Sequence, residues 1–237
     1  MIALSIADIL PQFPEFRVAI GLLTGLAPAE SPAPGIRALV HFVERDVQAS
    51  LAERDLEKLP EIARWRSAYR AFGSKKTGYR NSCEALLRRL KGGELLPRVL
   101  PLVDLYNAIS VRFRVPFGAD DLALLKPPLA FRYARTGDRF LDGGQDPPVE
   151  DPPAEGEVVY ADSEKILCRR WNWRQDARSR IRPETRDAVV VIQTLEPDGE
   201  SRLAGAIGLF RHHAERGLGA TSQWAIASKA LPSVTLG

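Results

Sequence analysis

The sequence predicts a single α+β domain in which a mixed sheet is flanked by helices. Three observations lead there. Segments with helical spacing of apolar residues alternate with short, β-branched apolar runs. The intervals between those runs are too long for simple hairpins. Finally, 45% of the 237 residues are apolar, enough for a substantial core at a length suited to one large domain or two small ones. There are no internal repeats and no low-complexity segment. The domain is expected over residues 11–217, with residues 218–237 a tail without assignment.

Residues 16–26 (FRVAIGLLTGL) form a short apolar run closed by glycine, which predicts a buried strand. Three prolines make residues 27–35 a loop. Over 36–59, Leu39, Val40, Val43, Val47, Leu51 and Leu56 recur at helical spacing between charges, an amphipathic helix with His41 at its core or boundary. Pro60 suits the first turn of a second helix ending near Gly73, because its missing N–H has no partner there anyway. Residues 79–90 predict a third, with Ser82 as cap, Leu86, Leu87 and Leu90 inward, and Gly92–Gly93 as its end. Residues 96–113 are helical in period, and Pro116 breaks them. Strands are expected at 129–134, 158–161, 166–171 and 188–194, the last (AVVVIQT) being almost wholly apolar. Residues 137–156, acidic and rich in Pro and Gly, read as a surface loop, and 199–217 as a late helix.

No stretch approaches the ~18 apolar residues of a membrane span, and the N-terminus lacks a basic n-region and a cleavage site. Cys83 and Cys168 are the only cysteines, too few for a disulfide framework. A cytoplasmic protein is expected, with no membrane partner. The net charge of +3 hides segregation. Residues 64–98 carry ten Lys/Arg against two acids (+8), 135–164 nine acids against two arginines (−7), and 169–186 seven arginines against two acids (+5). Aromatics accompany both basic segments, a combination that suits a polyanion bearing unpaired bases, though solvated helix faces give the same pattern.

Common catalytic signatures are absent. The chain has no G-x-S-x-G elbow and no phosphate-cradling glycine motif. His212 and His213 are adjacent, so on a helix they diverge by roughly 100° and cannot share a metal. Cys83 reads as a small packed residue, and neither Asp120-Asp121 nor the Asp138, Asp142, Asp146 run has calcium-loop spacing. No metal or cofactor is expected. One constellation remains: in PLVDLYNAIS, Asp104, Asn107 and Ser110 recur every third residue among apolar neighbours. On a helix this forms a polar stripe that either stitches the core or lines a wet pocket.

PLVDLYNAISVRFRVPFGADD resembles the V-D-x-x-N…P-x-H-A-x-D pattern of the editing domain of the phenylalanyl-tRNA synthetase β-subunit, its B-three/B-four modules. Val103, Asp104, Asn107, Pro116 and Asp121 fall on the pattern, and Ala161-Asp162 and Thr185-Arg186-Asp187 match later blocks in order. SKKTGYRNSCEALLRRL looks like the lead-in helix of freestanding members. The departures are specific: Gly118 stands at the histidine, Arg169-Arg170-Trp171-Asn172-Trp173 at A-G-x-M-G-G, and Val190-Val191-Ile192 where a glutamate recognises a phenol.

The resemblance implies an editing-domain-like fold and hydrolysis of a wrongly attached amino acid from its tRNA ester, a second sieve where binding alone discriminates poorly. A positioned water and donors for the developing oxyanion suffice for that chemistry, without a nucleophilic side chain. In this reading Asp104 and Asn107 orient the water or the substrate's ammonium. Ser110, Gly118, Asp121, Arg169, Arg170, Trp171, Asn172, Trp173 and Arg174 contact substrate, the arginines at phosphate or carboxylate and the indoles by stacking. Lys75, Lys76, Arg80, Arg88 and Arg89 face RNA. The partner is tRNA or aminoacyl-tRNA, not DNA. The alternatives are a non-catalytic RNA- or amino-acid-binding module, and an enzyme acting on an unrelated acylated substrate.

Overall fold

A computed structural model of the chain describes residues 1–27, 32–74, 78–144 and 146–237. Its order is β1 (Ile2–Ser5), β2 (Arg17–Thr24), α1 (Pro34–Leu51), α2 (Pro60–Ala71), α3 (Ser82–Lys91), α4 (Pro101–Phe113), β3 (Phe117–Asp121), β4 (Leu129–Tyr133), β5 (Leu141–Asp142), β6 (Val149–Glu150), β7 (Val158–Ala161), β8 (Ile166–Arg169), β9 (Arg174–Gln175), β10 (Ala188–Thr194), α5 (Gly199–Leu218), β11 (Thr221–Ala227) and β12 (Ser233–Leu236).

Two sheets and a helical layer stack in the order helices, sheet, sheet. An antiparallel sheet β11-β2-β10-β3 lies in the middle, and a mixed sheet β12-β1-β4-β7-β8-β9 covers its far face, with β1 and β4 the parallel pair. Strand alternation explains the arrangement. Ala188, Val190 and Ile192 of β10 pack with Val40, Val43, Leu105, Ile109 and Phe210 of the helices. Val189 and Val191, on the other face, pack with Phe131, Tyr160 and Leu167 of the second sheet. A strand buried on both faces favours apolar residues, which is why the first five residues of β10, AVVVI, are all apolar. Gly21 of β2 faces Trp224 of β11 so closely that an added Cβ would lie 2.8 Å from the indole.

Several boundaries differ from the sequence expectation. The first helix ends at Leu51, and a separate 3₁₀ turn over Leu56–Lys58 follows, started by Asp55 accepting the Glu57 N–H. Asn81, not Ser82, caps α3: its Oδ1 accepts the Glu84 N–H at 2.8 Å. The fourth helix begins only at Pro101. β8 stops at Arg169 because Arg170 and Trp171 both take positive φ, 45° and 66°. His41 is an exposed residue, 65% accessible beside Glu44, and not part of the core. The span 137–156 contains the β5–β6 hairpin, while β1, β3, β9, β11 and β12 are strands the sequence reading did not assign. The loop expected over 27–35 lies partly outside the described residues, as do Lys75 and Lys76.

Candidate functional site

Where β3 forms the edge of the central sheet and the second sheet diverges from it, a cleft of about 180 Å³ opens beneath α4. Its α4 wall is Tyr106 and Asn107. β3 contributes Phe117, Gly118, Ala119 and Asp120, and β10 contributes Val191 and Gln193. The opposite side is built from Tyr160 of β7, Leu167 and Cys168 of β8, Gln175 of β9, and Asn172 and Trp173 from the tight turn between those last two strands. Ser82, the first residue of α3, completes it. Gly118 leaves room: a Cβ placed there would meet no atom within 4 Å.

The polar groups around this cleft are held in place. Tyr69 donates to Asn172 Oδ1 at 2.9 Å, and Asn172 Nδ2 donates to Gln193 Oε1 at 3.1 Å. Gln175 Nε2 donates both to the Ala119 carbonyl and to Asp120 Oδ1, each at 2.7 Å, and Ser179 Oγ donates to the same carboxylate oxygen at 2.6 Å. Asp120 is 3% exposed. Burial pushes its carboxyl up to about 6, against the lowering effect of the Ser179 and Gln175 donors. Burial likewise raises the Tyr106 and Tyr160 hydroxyls, with the Asp120 charge adding to both, and it raises the Cys168 thiol. A thiol shifted in that direction is no thiolate nucleophile. Among the described residues, no group of three or more His, Cys, Asp or Glu is placed to hold a metal.

The B3/4 domain model matches residues 64–231, most of the chain and every strand that lines the cleft. The chain belongs to the B3/4 domain family. No curated protein matches it. Among solved structures it is similar to an N-terminal fragment of the phenylalanyl-tRNA synthetase β-subunit from Pyrococcus horikoshii, with a TM-score of 0.53 and 11% identity. That alignment covers 93% of this chain and 50% of the fragment, so the chain spans about half its length and the likeness is one of fold.

In this B3/4 domain the expected site residues separate. Asn107, Gly118, Asn172 and Trp173 meet at the cleft. Asp104 does not line it. Its Oδ1 accepts the Val99 N–H at 2.9 Å, closing the chain into α4, and burial raises its carboxyl. Ser110 also lies elsewhere, donating to the Val115 carbonyl at 2.6 Å. The reason is geometric. Steps of three residues rotate about −60° each at 100° per residue, so the ends of the stripe lie about 120° apart. Asp121 is structural too: it starts a 3₁₀ turn by accepting the Ala123 N–H and holds Thr185 Oγ1 at 2.7 Å. Trp171 is fully buried, with the rings of Phe13, Phe16 and Trp65 within 4.7–5.1 Å, and belongs to the core.

The charged segments fold back on one another. Arg169 is 3% exposed and grips Glu157 through two bonds of 3.0 and 2.9 Å, with Asp151 on its other side. Arg174 pairs with Asp142 and lies over the Trp173 ring, and Arg170 packs on Tyr79 and Trp173 at 3.6 and 4.3 Å. Three arginines of the basic segment, Arg169, Arg170 and Arg174, thus pair with the acidic segment that precedes it. Glu84, fully buried, takes Arg66, Arg80 and Arg88, and Glu57 takes Arg66 and Arg88 as well. Arg89 pairs with Glu94. Arg80, Arg88 and Arg89 therefore do not form an unpaired cationic face. Glu57 falls outside the 64–98 window, so a charge count along the sequence could not see it.

Asp120, Tyr106, Tyr160, Gln175 and Gln193 are cleft residues that sequence reasoning passed over. Two signals were present. Strand alternation puts Gly118 and Asp120 on one face of β3, and Gln193 is a polar break in an apolar strand.

Proposed function

We propose that this B3/4 domain hydrolyses the ester of a mischarged aminoacyl-tRNA or a related aminoacyl ester, using a positioned water. The observation carrying the proposal is the open, half-polar cleft beside Asn107, with one tryptophan in the core and the other forming a wall instead of a plug. Its volume of about 180 Å³ suits an amino-acid side chain, since cavities on the order of 150 Å³ hold a benzene ring. Asn107, 8% exposed, offers an amide to the water or to the substrate's ammonium. The Asn172–Gln193 pair lies across the cleft with its orientation already set by Tyr69. Water adds to the ester carbonyl, the carbon–oxygen bond to the ribose breaks, and the ribose hydroxyl leaves with a proton. Preorganised donors of this kind lower the barrier without reorganising at the moment of reaction. tRNA as partner accords with the synthetase whose fold the chain shares.

A second reading, an amino-acid-binding module, is favoured by the internal pairing of the arginines, which leaves little charge for RNA. A deacylation panel separates the two. The purified protein is incubated with tRNAs charged with each standard amino acid and several non-protein ones. Release of one amino acid above the buffer rate supports hydrolysis. Flat traces, with a free amino acid still binding, establish the module instead.

A further inference from the structure

We infer that Asp120 is the general base of this hydrolysis, taking the proton of the attacking water, with Ser179 and Gln175 as the residues that position its carboxylate. The inference rests on the hydrolytic reading above and assigns a catalytic residue within the same cleft.

Geometry carries it. Asp120 is a buried carboxylate on the wall of the cleft, on the strand face it shares with Gly118. Its Oδ1 takes both donors, Ser179 Oγ at 2.6 Å and Gln175 Nε2 at 2.7 Å. Gln175 is fixed in turn by its bond to the Ala119 carbonyl. Among the described residues Oδ2 takes no hydrogen bond, so it is the acceptor left for a ligand or a water in the cleft. The groups around the carboxylate are Tyr106 from α4, Tyr160 from β7, Cys168 from β8, and Asp162 and Lys165 from the turn between those two strands. Lys165 is committed to Asp162 at 2.7 Å and to the Leu124 carbonyl at 2.8 Å, so it does not pair with Asp120.

A buried carboxylate held by two neutral donors, with no ion-pair partner among the described residues, is a base poised near neutral pH, in keeping with its rise to about 6. In the reaction Oδ2 accepts a proton from water while the water oxygen bonds to the ester carbon. The carbon–oxygen bond then breaks, and the proton held on Asp120 passes to the leaving ribose oxygen, which regenerates the carboxylate.

The test follows kcat and KM against pH on the aminoacyl-tRNA that responds in the panel, for the native protein, Asp120→Asn and Ser179→Ala. In the native protein kcat should rise with pH through about 6 and then level off. Asp120→Asn should lose that rise and about 100-fold in kcat, with KM little changed. Ser179→Ala should keep its plateau but rise at higher pH, because the lost hydroxyl stabilised the charged carboxylate. A merely structural serine would not move the profile. A raised KM with near-native kcat in Asp120→Asn would make Asp120 an ammonium anchor and overturn the inference, as would an unchanged pH profile. Failure of the hydrolytic reading looks different: the native protein then releases nothing from any charged tRNA. A carbon-detected carboxyl titration decides the basis independently. A pKa near 6 for Asp120 supports the inference, and a value in the ordinary carboxylate range overturns it.

Discussion

Asp120→Asn should stabilise the fold near neutral pH even though it removes the proposed base. The carboxyl sits at about 6 in the folded protein against a reference of 3.8. At about 1.4 kcal/mol per pKa unit, ionised Asp120 costs the folded state about 3 kcal/mol at pH 7. Between those two values the folded state binds more protons than the unfolded one, so stability falls as pH rises through that window. Asparagine has no such titration and retains an oxygen to accept from Ser179 and Gln175. The difference in unfolding free energy, variant minus native, should therefore grow by about 2 to 3 kcal/mol between pH 4 and pH 7. Urea denaturation at a series of pH values measures it. Carboxylates remote from Asp120 titrate alike in both proteins and cancel, and any steric mismatch of the amide adds a constant that cannot mimic the slope. A difference that does not vary with pH would mean that Asp120 titrates alike in the folded and unfolded chain.

Three further outcomes follow from the packing and the charges. Gly21→Ala should cost about 1–3 kcal/mol by urea denaturation, because the new methyl lies 2.8 Å from both Trp224 and Val190; a neutral result would mean that β11 shifts freely. Glu84→Ala should cost about 1–3 kcal/mol by the same assay, since it removes the buried acceptor of Arg66 and Arg88 and leaves them only Glu57. A loss below about 1 kcal/mol would show that these ion pairs contribute little. In RNA binding, Arg88→Gln should leave the slope of log K against log salt unchanged, because Glu84 and Glu57 already hold that guanidinium. A slope smaller by about 1 would place Arg88 on a phosphate.

The fold was legible wherever periodicity was long or burial two-sided. Val158–Ala161 and Ala188–Thr194 agree with the expected strands residue for residue, and Pro60 and Gly93, the latter at φ 83°, mark helix ends as their backbone chemistry requires. The second sheet was harder to read, because β1 and β12 are short and owe their existence to neighbours distant in sequence, such as Ile2 opposite Leu236. The cleft was half legible. Asn107 was found because it is a polar residue on an otherwise buried helix. Asp104 and Ser110 were grouped with it because linear spacing conceals the rotation from one to the next. Asp120 escaped because its significance depends on Ser179 and Gln175, more than 50 residues away. The apparent basic surface had the same origin: Arg169 and Glu157, or Arg66 and Glu84, become neighbours only in the folded chain.

The central claim is that the cleft beside Asn107 hydrolyses an aminoacyl ester. The measurement that tests it most directly is the rate of amino-acid release from charged tRNA by the native protein and by Asn107→Ala, at equal enzyme and matched thermal stability. The native protein should release one amino acid, and the variant should lose about 100-fold or more in rate, the scale of removing one preorganised polar group. Equal rates in the two proteins, or no release by the native one, would contradict that claim.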